Sequence, residues 1–313
     1  MAAEAHGVGL IAVVGATATG KTAAGVALAV ALNGEIVGAD SRQVYRGMPI
    51  GTAQPSRDEL AAAHHHLIGF LPPDAPFGLA GYLDVAGAAI AEIQARNHRP
   101  ILVGGTGQYV WALVEGWTVP RVAPDLDLRS ELQAFVRLSG AGALHARLDR
   151  VDPAAAAAIH PNNVRRVVRA LEVYEHTGTP ISAQQRSTPG SDVLVIGLSM
   201  PRDVVYQRAD RRVERMYQAG MLDEVRALDV AGYARHLPSM ASIGYPEAWA
   251  VYHGELSTSE AILRTQLATH RLVRQQQTWF RGSDPRIAWI DAAGDAPAHA
   301  VEIAAGQRAA MER

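Results

Sequence analysis

The sequence predicts an α/β fold, a parallel sheet flanked by helices and interrupted by an α-helical insertion. Three observations lead there. Residues 8–14 form an apolar, β-branched run that passes through a glycine-rich turn into an alanine-rich, helix-favouring segment at 22–32. Short apolar runs at 34–38, 101–105, 192–198 and 286–291 repeat the strand character, with helix-periodic segments between them. From about residue 115 to 189 that character lapses: Pro120, Pro124, Pro153, Pro161 and Pro180 punctuate segments that read as helix. The expected organisation is a core in two pieces, 1–114 and 191–313, around an inserted helical domain at 115–190.

The turn after the first predicted strand reads Gly15-Ala16-Thr17-Ala18-Thr19-Gly20-Lys21-Thr22 and fits the phosphate-binding pattern G-x-x-x-x-G-K-[ST]. Strand, glycine loop and helix start is the arrangement that turns backbone N–H groups toward a phosphate and adds the helix dipole. The predicted sheet is therefore P-loop NTPase-like. Lys21 is expected on the outer phosphates and the Thr22 hydroxyl on a magnesium ion. Lys21 is also the only lysine, since the other 28 of the 29 basic residues are arginine. The loop thus keeps a compact ammonium that a planar guanidinium cannot imitate.

The second predicted strand, 34–38, runs into Ala39-Asp40-Ser41-Arg42-Gln43-Val44-Tyr45. In a parallel sheet Asp40 then lies at the C-terminal edge, the edge that presents the phosphate loop. A carboxylate there can hold magnesium through water or take a proton from a substrate; it can also cap a following helix. After a proline-bounded loop at 49–55 come His64, His65 and His66. Successive strand residues point to opposite faces, so the three cannot converge on one ion. One of them is expected to face the substrate cleft, and no structural metal is expected. Residues 77–97 carry helical apolar spacing up to Arg99-Pro100. The strand 101–105 then opens into Thr106-Gly107-Gln108-Tyr109, where the paired glycines allow a sharp turn that exposes the Thr106 hydroxyl to the phosphate region.

Inside the insertion, 129–138, 142–150 and 162–176 are the helix candidates. Arg165-Arg166-Val167-Val168-Arg169 sets Arg165 and Arg169 four apart on one face. Such a face suits phosphate or RNA backbone, or a solvated surface paired with acids. Beyond the return strand, 203–219 is a helix carrying Arg208, Arg211, Arg212 and Arg215, with Arg208 and Arg212 on one face. Residues 222–228 continue helical, 237–246 is a glycine- and proline-marked loop fit to line a cleft, and 257–280 is a long helix before the last strand.

With 313 residues, 48% hydrophobic and 19% charged, the chain has the composition of an ordinary globular protein. A net charge of −2 gives no general basic character, so a nucleic-acid partner must be held by a local patch. The absence of cysteine excludes disulfides, thiolate metal sites and cysteine nucleophiles. No apolar run reaches membrane-spanning length and the first residues lack the regions of a signal peptide, so a cytoplasmic protein without a membrane partner is expected.

The stretches GATATGKT, ADSRQVYRGM, IGTAQP, HHL, ILVGGTGQY, RALEVYEHTG, RMYQAG, IGYPE and QTWFR, in order from about residue 8 to 291, resemble those of the tRNA dimethylallyltransferases, also called tRNA isopentenyltransferases. Enzymes of that family move a dimethylallyl group from its diphosphate to the exocyclic amine of the adenine just 3′ of the anticodon. The resemblance implies that the phosphate loop holds the diphosphate of the prenyl donor rather than ATP, with Mg²⁺ bridging; helix start, Lys21 and ion then stabilise departing diphosphate. It implies that Asp40 is the general base toward the adenine amine, that Thr106 is a polar contact in the channel, and that Arg208 and Arg212 contact the diphosphate.

Asp40, Ser41, Arg42, Gln43, Thr106, Arg129, Arg165, Arg166, Val167, Val168 and Arg169 match tRNA-contacting stretches, as do Ala241, Ser242, Ile243, Gly244, Tyr245 and Pro246. The adenine must swing out of the anticodon loop to reach such a channel. The implied partners are the tRNA anticodon loop and dimethylallyl diphosphate, and a monomer is expected. Where the family often has Arg-Ala-Ile-Gly-Tyr-Arg, Ala241 and Pro246 replace the arginines, and Gln275 replaces another; these departures thin the tRNA contacts and leave the reaction untouched. The competing reading is a P-loop kinase passing phosphate from ATP to a small acceptor, which loop and Asp40 alone do not exclude. A non-catalytic RNA-binding module has no need of a phosphate loop and magnesium.

Overall fold

The computed structural model describes residues 9–184, 186–187 and 192–311. Val8, at the start of the first expected strand, and residues 188–191, at the end of the expected insertion, lie outside them. The chain divides into two compact units, Met1–Val114 with Ser191–Arg313, and Glu115–Gly190.

The first unit opens with β1 (Leu10–Gly15), the glycine loop and α1 (Lys21–Leu32), then β2 (Gly34–Gly38), α2 (Arg57–Ala62), the short β3 (His65–His66), α3 (Leu79–Ala95), β4 (Arg99–Val103) and α4 (Gly107–Val114). Every residue of β1 is buried, as a strand covered on both faces must be. A reciprocal cap starts α2: Ser56 Oγ accepts the Glu59 amide, and Glu59 accepts the Ser56 amide.

The second unit consists of β5 (Trp117–Thr118), α5 (Leu126–Ser139), α6 (Ala141–Val151), α7 (Pro153–Ala158), α8 (Val164–Thr177), α9 (Ile181–Gln184) and β6 (Arg186–Ser187). It is helical apart from the antiparallel pair of β5 and β6, which the sequence does not announce because each strand is two residues long. Asp125 caps α5 through the Leu128 amide, and Asp152 caps α7 through the Ala155 amide with Pro153 in the first turn. Leu132, Leu144, Leu148, Val167 and Leu171 fill its core.

The first unit resumes with β7 (Val193–Ser199), α10 (Arg202–Gln218), α11 (Met221–Val230), a 3₁₀ turn at Pro238–Ala241, α12 (Tyr245–Tyr252), α13 (Thr258–Trp279), β8 (Ile287–Asp291) and α14 (Ala296–Met311). Its six strands form one parallel sheet in the order β3-β2-β4-β1-β7-β8, the α/β architecture expected. Ile11 of β1 lies level with Ile101 of β4 and Leu194 of β7, so the strand that ends in the phosphate loop is central. Leu28, Ile36, Ile101, Ile196 and Ile290 pack into a core that Ala296, Ala300 and Ala304 of α14 help to close. A second core joins Val44, Tyr45 and Met48 to Val225, Leu228, Tyr245 and Trp249.

Two expectations change. The segment 237–246 is not wholly loop: α12 begins at Tyr245, after Gly244 takes a φ of +94° and the Glu247 carboxylate accepts its amide. The C-terminal α14 was not expected, because its buried face is alanine and carries little apolar contrast.

Candidate active site

Three turns meet at the C-terminal edge of the sheet, following β1, β2 and β4. The first is the phosphate loop. Gly20 precedes α1 at a φ of +97°, a left-handed conformation that a side chain would resist. Thr19 Oγ1 and Lys21 Nζ both donate to the Ala16 carbonyl, at 2.9 and 2.7 Å, and draw the loop into a ring. Enclosure of the ammonium, followed by repulsion from Arg212, pulls Lys21 down to about 7 against the attraction of Asp40. The Arg212 guanidinium donates to Thr17 Oγ1 from the opposite wall.

The second turn carries Asp40. No helix follows it, so the capping role fails; instead Asp40 Oδ1 accepts the Arg42 amide at 2.9 Å in a local turn. The third turn carries Thr106. Its Oγ1 accepts the Ser41 amide at 3.0 Å and its own amide donates to Ala39, so the hydroxyl fixes the Asp40 turn as well as facing the cleft.

Gln276 of α13 ties the first and third turns together. Its Oε1 accepts the Thr17 amide at 2.7 Å, and its Nε2 donates to the Gly105 carbonyl at 3.0 Å. A Cβ on Gly105 would lie 2.2 Å from that Nε2, which explains the second glycine of the pair. Sequence reasoning passed over Gln276, although Thr265, Thr269, Leu272, Gln276 and Trp279 form a stripe at helical spacing that lines the cleft.

The cleft bounded by these turns has a volume of about 1090 Å³. Thr17, Ala18, Gly20, Lys21, Thr22, Asp40, Ser41, Arg42, Gln43, Thr106, Arg208 and Arg212 all line it, as do Ala241, Ser242 and Ile243. Arg211 and Arg215, expected on the same helix but not assigned to the ligand, join the same wall. Gly15, Ala16 and Thr19 are buried beneath the loop and shape it. Gln43 spends its amide on the Thr52 and Ala53 carbonyls. Thr22 and Asp40 offer a hydroxyl and a carboxylate to the cleft, few and hard oxygen donors of the kind a hydrated divalent cation accepts beside phosphate oxygens.

Other expected residues fall elsewhere. Gly244 and Tyr245 are buried, and Tyr245 donates its hydroxyl to Glu224 at 2.6 Å, while Pro246 is exposed away from the cleft lining. Among the described residues no histidine lines the cleft: His64 and His66 gather around Glu35 toward the N-terminal end of β2, and His65 turns Nδ1 to the Ala63 carbonyl. The expectation of a cleft-facing histidine is therefore wrong, because β3 lies at the sheet's outer edge.

In the helical unit Arg165 and Arg166 are exposed, whereas Val167 and Val168 are core residues. Their side chains cannot meet a ligand at the surface. Arg129 and Arg169 bond to the buried Glu172, at 2.7 and 2.6 Å. Burial pushes the Glu172 carboxyl up, but hydrogen bonds from Arg129, the Asp125 amide and Arg169 outweigh it and hold the group at about 2.

Among the described residues no helix is long and apolar enough to cross a membrane. The profile described as IPP transferase matches residues 43–283, and that described as isopentenyl transferase matches 8–68. The chain is 54% identical over 274 residues to a tRNA dimethylallyltransferase of Roseiflexus, covering 87% of this chain and 90% of that one. A Symbiobacterium thermophilum protein of the same name is 47% identical, with 91% and 90% covered. The crystal structure of the tRNA isopentenylpyrophosphate transferase from Bacillus halodurans superposes with a TM-score of 0.70 at 41% identity, covering 97% of both chains. A eukaryotic dimethylallyltransferase, described as acting on tRNA, gives 0.74 at 26% identity over 90% of this chain and 73% of its own. With a profile match across most of its length and relatives sharing about half of its residues, the chain belongs to the IPP transferase family.

Proposed function

We propose that this chain transfers a dimethylallyl group from dimethylallyl diphosphate to the N6 amine of the adenine 3′-adjacent to the anticodon of a tRNA, releasing diphosphate. The observation that carries the reading is the convergence of Lys21, Asp40 and the α10 arginines on one cleft, in a chain of this family. The N6 lone pair attacks the allylic carbon, the carbon–oxygen bond to diphosphate breaks, and the amine proton leaves. Asp40 accepts that proton as the new bond makes the amine more acidic. Lys21, the start of α1, Arg208 and Arg212 receive the charge that collects on the diphosphate. Mg²⁺ bound beside Thr22 would supply further stabilisation of that charge.

Ser41, Arg42, Gln43 and Thr106, which line the cleft, are assigned to the extruded adenine. Arg129, Arg165, Arg166 and Arg169 of the helical unit belong to the segments proposed for the tRNA side, with Arg165 and Arg166 the two whose charge is open to a backbone phosphate. The test is incubation with unmodified tRNA, Mg²⁺ and either dimethylallyl diphosphate or ATP, followed by nucleoside analysis. N6-prenylated adenosine appearing only with the prenyl donor supports the reading. Phosphate transfer from ATP with no prenylated nucleoside would turn it toward the kinase.

A further inference from the structure

A second concave surface lies at the outer edge of the same sheet, a groove of about 700 Å³ lined by Glu35, His64, His66, Glu92, Arg96 and His98. The proposed reaction has no use for any of them. His64 and His66 are two apart along the chain and so share one side of the strand edge, while His65 between them turns the other way. Their rings stand edge to face with centroids 4.4 Å apart. Glu35, on β2, meets His66 and is buried, at 6% exposure. One ligand atom from each of Glu35, His64 and His66 lies within 4.8 Å of the others, the one such grouping among the described residues.

We propose that Glu35, His64 and His66 form a binding site for a zinc-class divalent transition metal. Two imidazoles and a carboxylate are the nitrogen and oxygen donors that zinc accepts, with water free to take the fourth position from the open groove. His66 Nε2 and Glu35 Oε2 already approach to 2.6 Å across a single proton, which the metal replaces. The outer partners are in place. His98 Nδ1 meets Glu35 Oε1 at 2.6 Å, and Arg96 donates to both carboxylate oxygens at 2.9 and 2.8 Å, so the ligating group is oriented before the metal arrives. His64 is exposed and free to rotate onto the ion. Arg96 is the opposing charge; its side chain is 46% exposed and can turn to solvent, with Glu92 in the same groove.

The experiment is calorimetric titration of the metal-stripped full chain with Zn²⁺ in excess Mg²⁺, with thermal unfolding alongside. The expected result is one zinc per chain and a rise in Tm, because an ion that binds only the folded state stabilises it. His64→Gln, an exposed substitution that leaves the Glu35 network intact, should weaken binding by at least ~10-fold and shrink the Tm rise accordingly; His98→Ala should weaken it by ~10-fold through the carboxylate. Absence of stoichiometric binding, or zinc affinity unchanged in His64→Gln and His66→Gln, would overturn the site.

Discussion

In the helical unit two arginines, Arg129 and Arg169, close on one buried acid, while on α10 Arg208, Arg211, Arg212 and Arg215 face a cleft with no carboxylate bound to any of them among the described residues. In the first region the charge is consumed. Removing Glu172 from water is costly, and the guanidinium hydrogen bonds offset that cost, so the result is a fixed joint between α5 and α8. In the second the charge is left over: burial and then Arg212 depress Lys21, and burial lowers Arg212 itself. Crowding these cations makes a bound anion more favourable, because it relieves their mutual repulsion. Arginines with the same helical spacing therefore build structure where an acid lies beneath them and a binding site where none does.

Each half of that contrast can be broken separately. The largest effect is expected at Asp40, whose carboxylate is bonded to no arginine side chain among the described residues. Asp40→Asn should keep fold, donor binding and tRNA binding but lose ~10²- to 10⁴-fold in single-turnover rate, the span of a general base. A near-normal rate, or one restored by extra Mg²⁺, would make Asp40 a structural or metal-holding group instead.

Glu172→Ala comes next, and its effect is on stability. Leaving two guanidinium groups without their acid should cost about 3 kcal/mol, toward the low end for a broken buried pair because Arg129 and Arg169 reach partly into solvent. Hydrogen exchange at the α8 amides should then accelerate by ~10²-fold; unchanged protection would show that the joint is incidental. Acid probes the same bond. A carboxyl held at about 2, below its ordinary 4.5, adds stability above the ordinary value and loses it as pH falls through the lower one. The mutant should therefore show less acid sensitivity between about pH 5 and 2, with the remainder shared by Glu35, which is held low in the same way, and by Asp125, Asp152, Glu255 and Asp284, which are also lowered.

A smaller effect is expected at Arg212. Arg212→Ala removes one charge-assisted contact and should weaken donor binding by ~10-fold or somewhat more, with Tm unchanged or raised. Arg129→Ala should do the reverse, and donor affinity equal in the two variants would erase the distinction. Smallest of all, Arg165→Ala and Arg166→Ala should each reduce the log–log salt slope of tRNA binding by about one, if each neutralises a phosphate. Parallel slopes for parent and variants would remove the helical unit's exposed arginines from the tRNA surface.

The sheet and its working edge were legible because they rest on local rules. A strand, a glycine loop and a helix start fix where Lys21 and Thr22 go, and a parallel strand fixes which edge receives Asp40 and Thr106. The partners of the arginines were not legible. Glu172 lies three residues from Arg169, yet only the packing of α5 on α8 reveals that it is buried and shared with Arg129. Val167 and Val168 were swept into a ligand-contacting stretch by their neighbours, although a helix turns them into the core. The histidines misled for a related reason: their alternation was read correctly, but nothing local shows that β3 lies beside β2 at the outer edge, where His66 meets Glu35. Gln276 joins residues 259 and 171 positions away, a distance that no spacing rule spans.

The solitary lysine has a practical consequence for covalent chemistry. Lys21 is the only side-chain amine, and enclosure and Arg212 lower it to about 7, so its nucleophilic free base is reached far more readily near neutral pH than that of an ordinary lysine. An acylating reagent that enters the cleft thus meets a single side-chain amine, at the mouth of the phosphate loop. One added mass per side chain, located at Lys21 and suppressed by diphosphate, becomes a direct report of whether the loop is occupied. A protease that cuts after lysine has one bond to attack, between Lys21 and Thr22, and the same ligand should shield it.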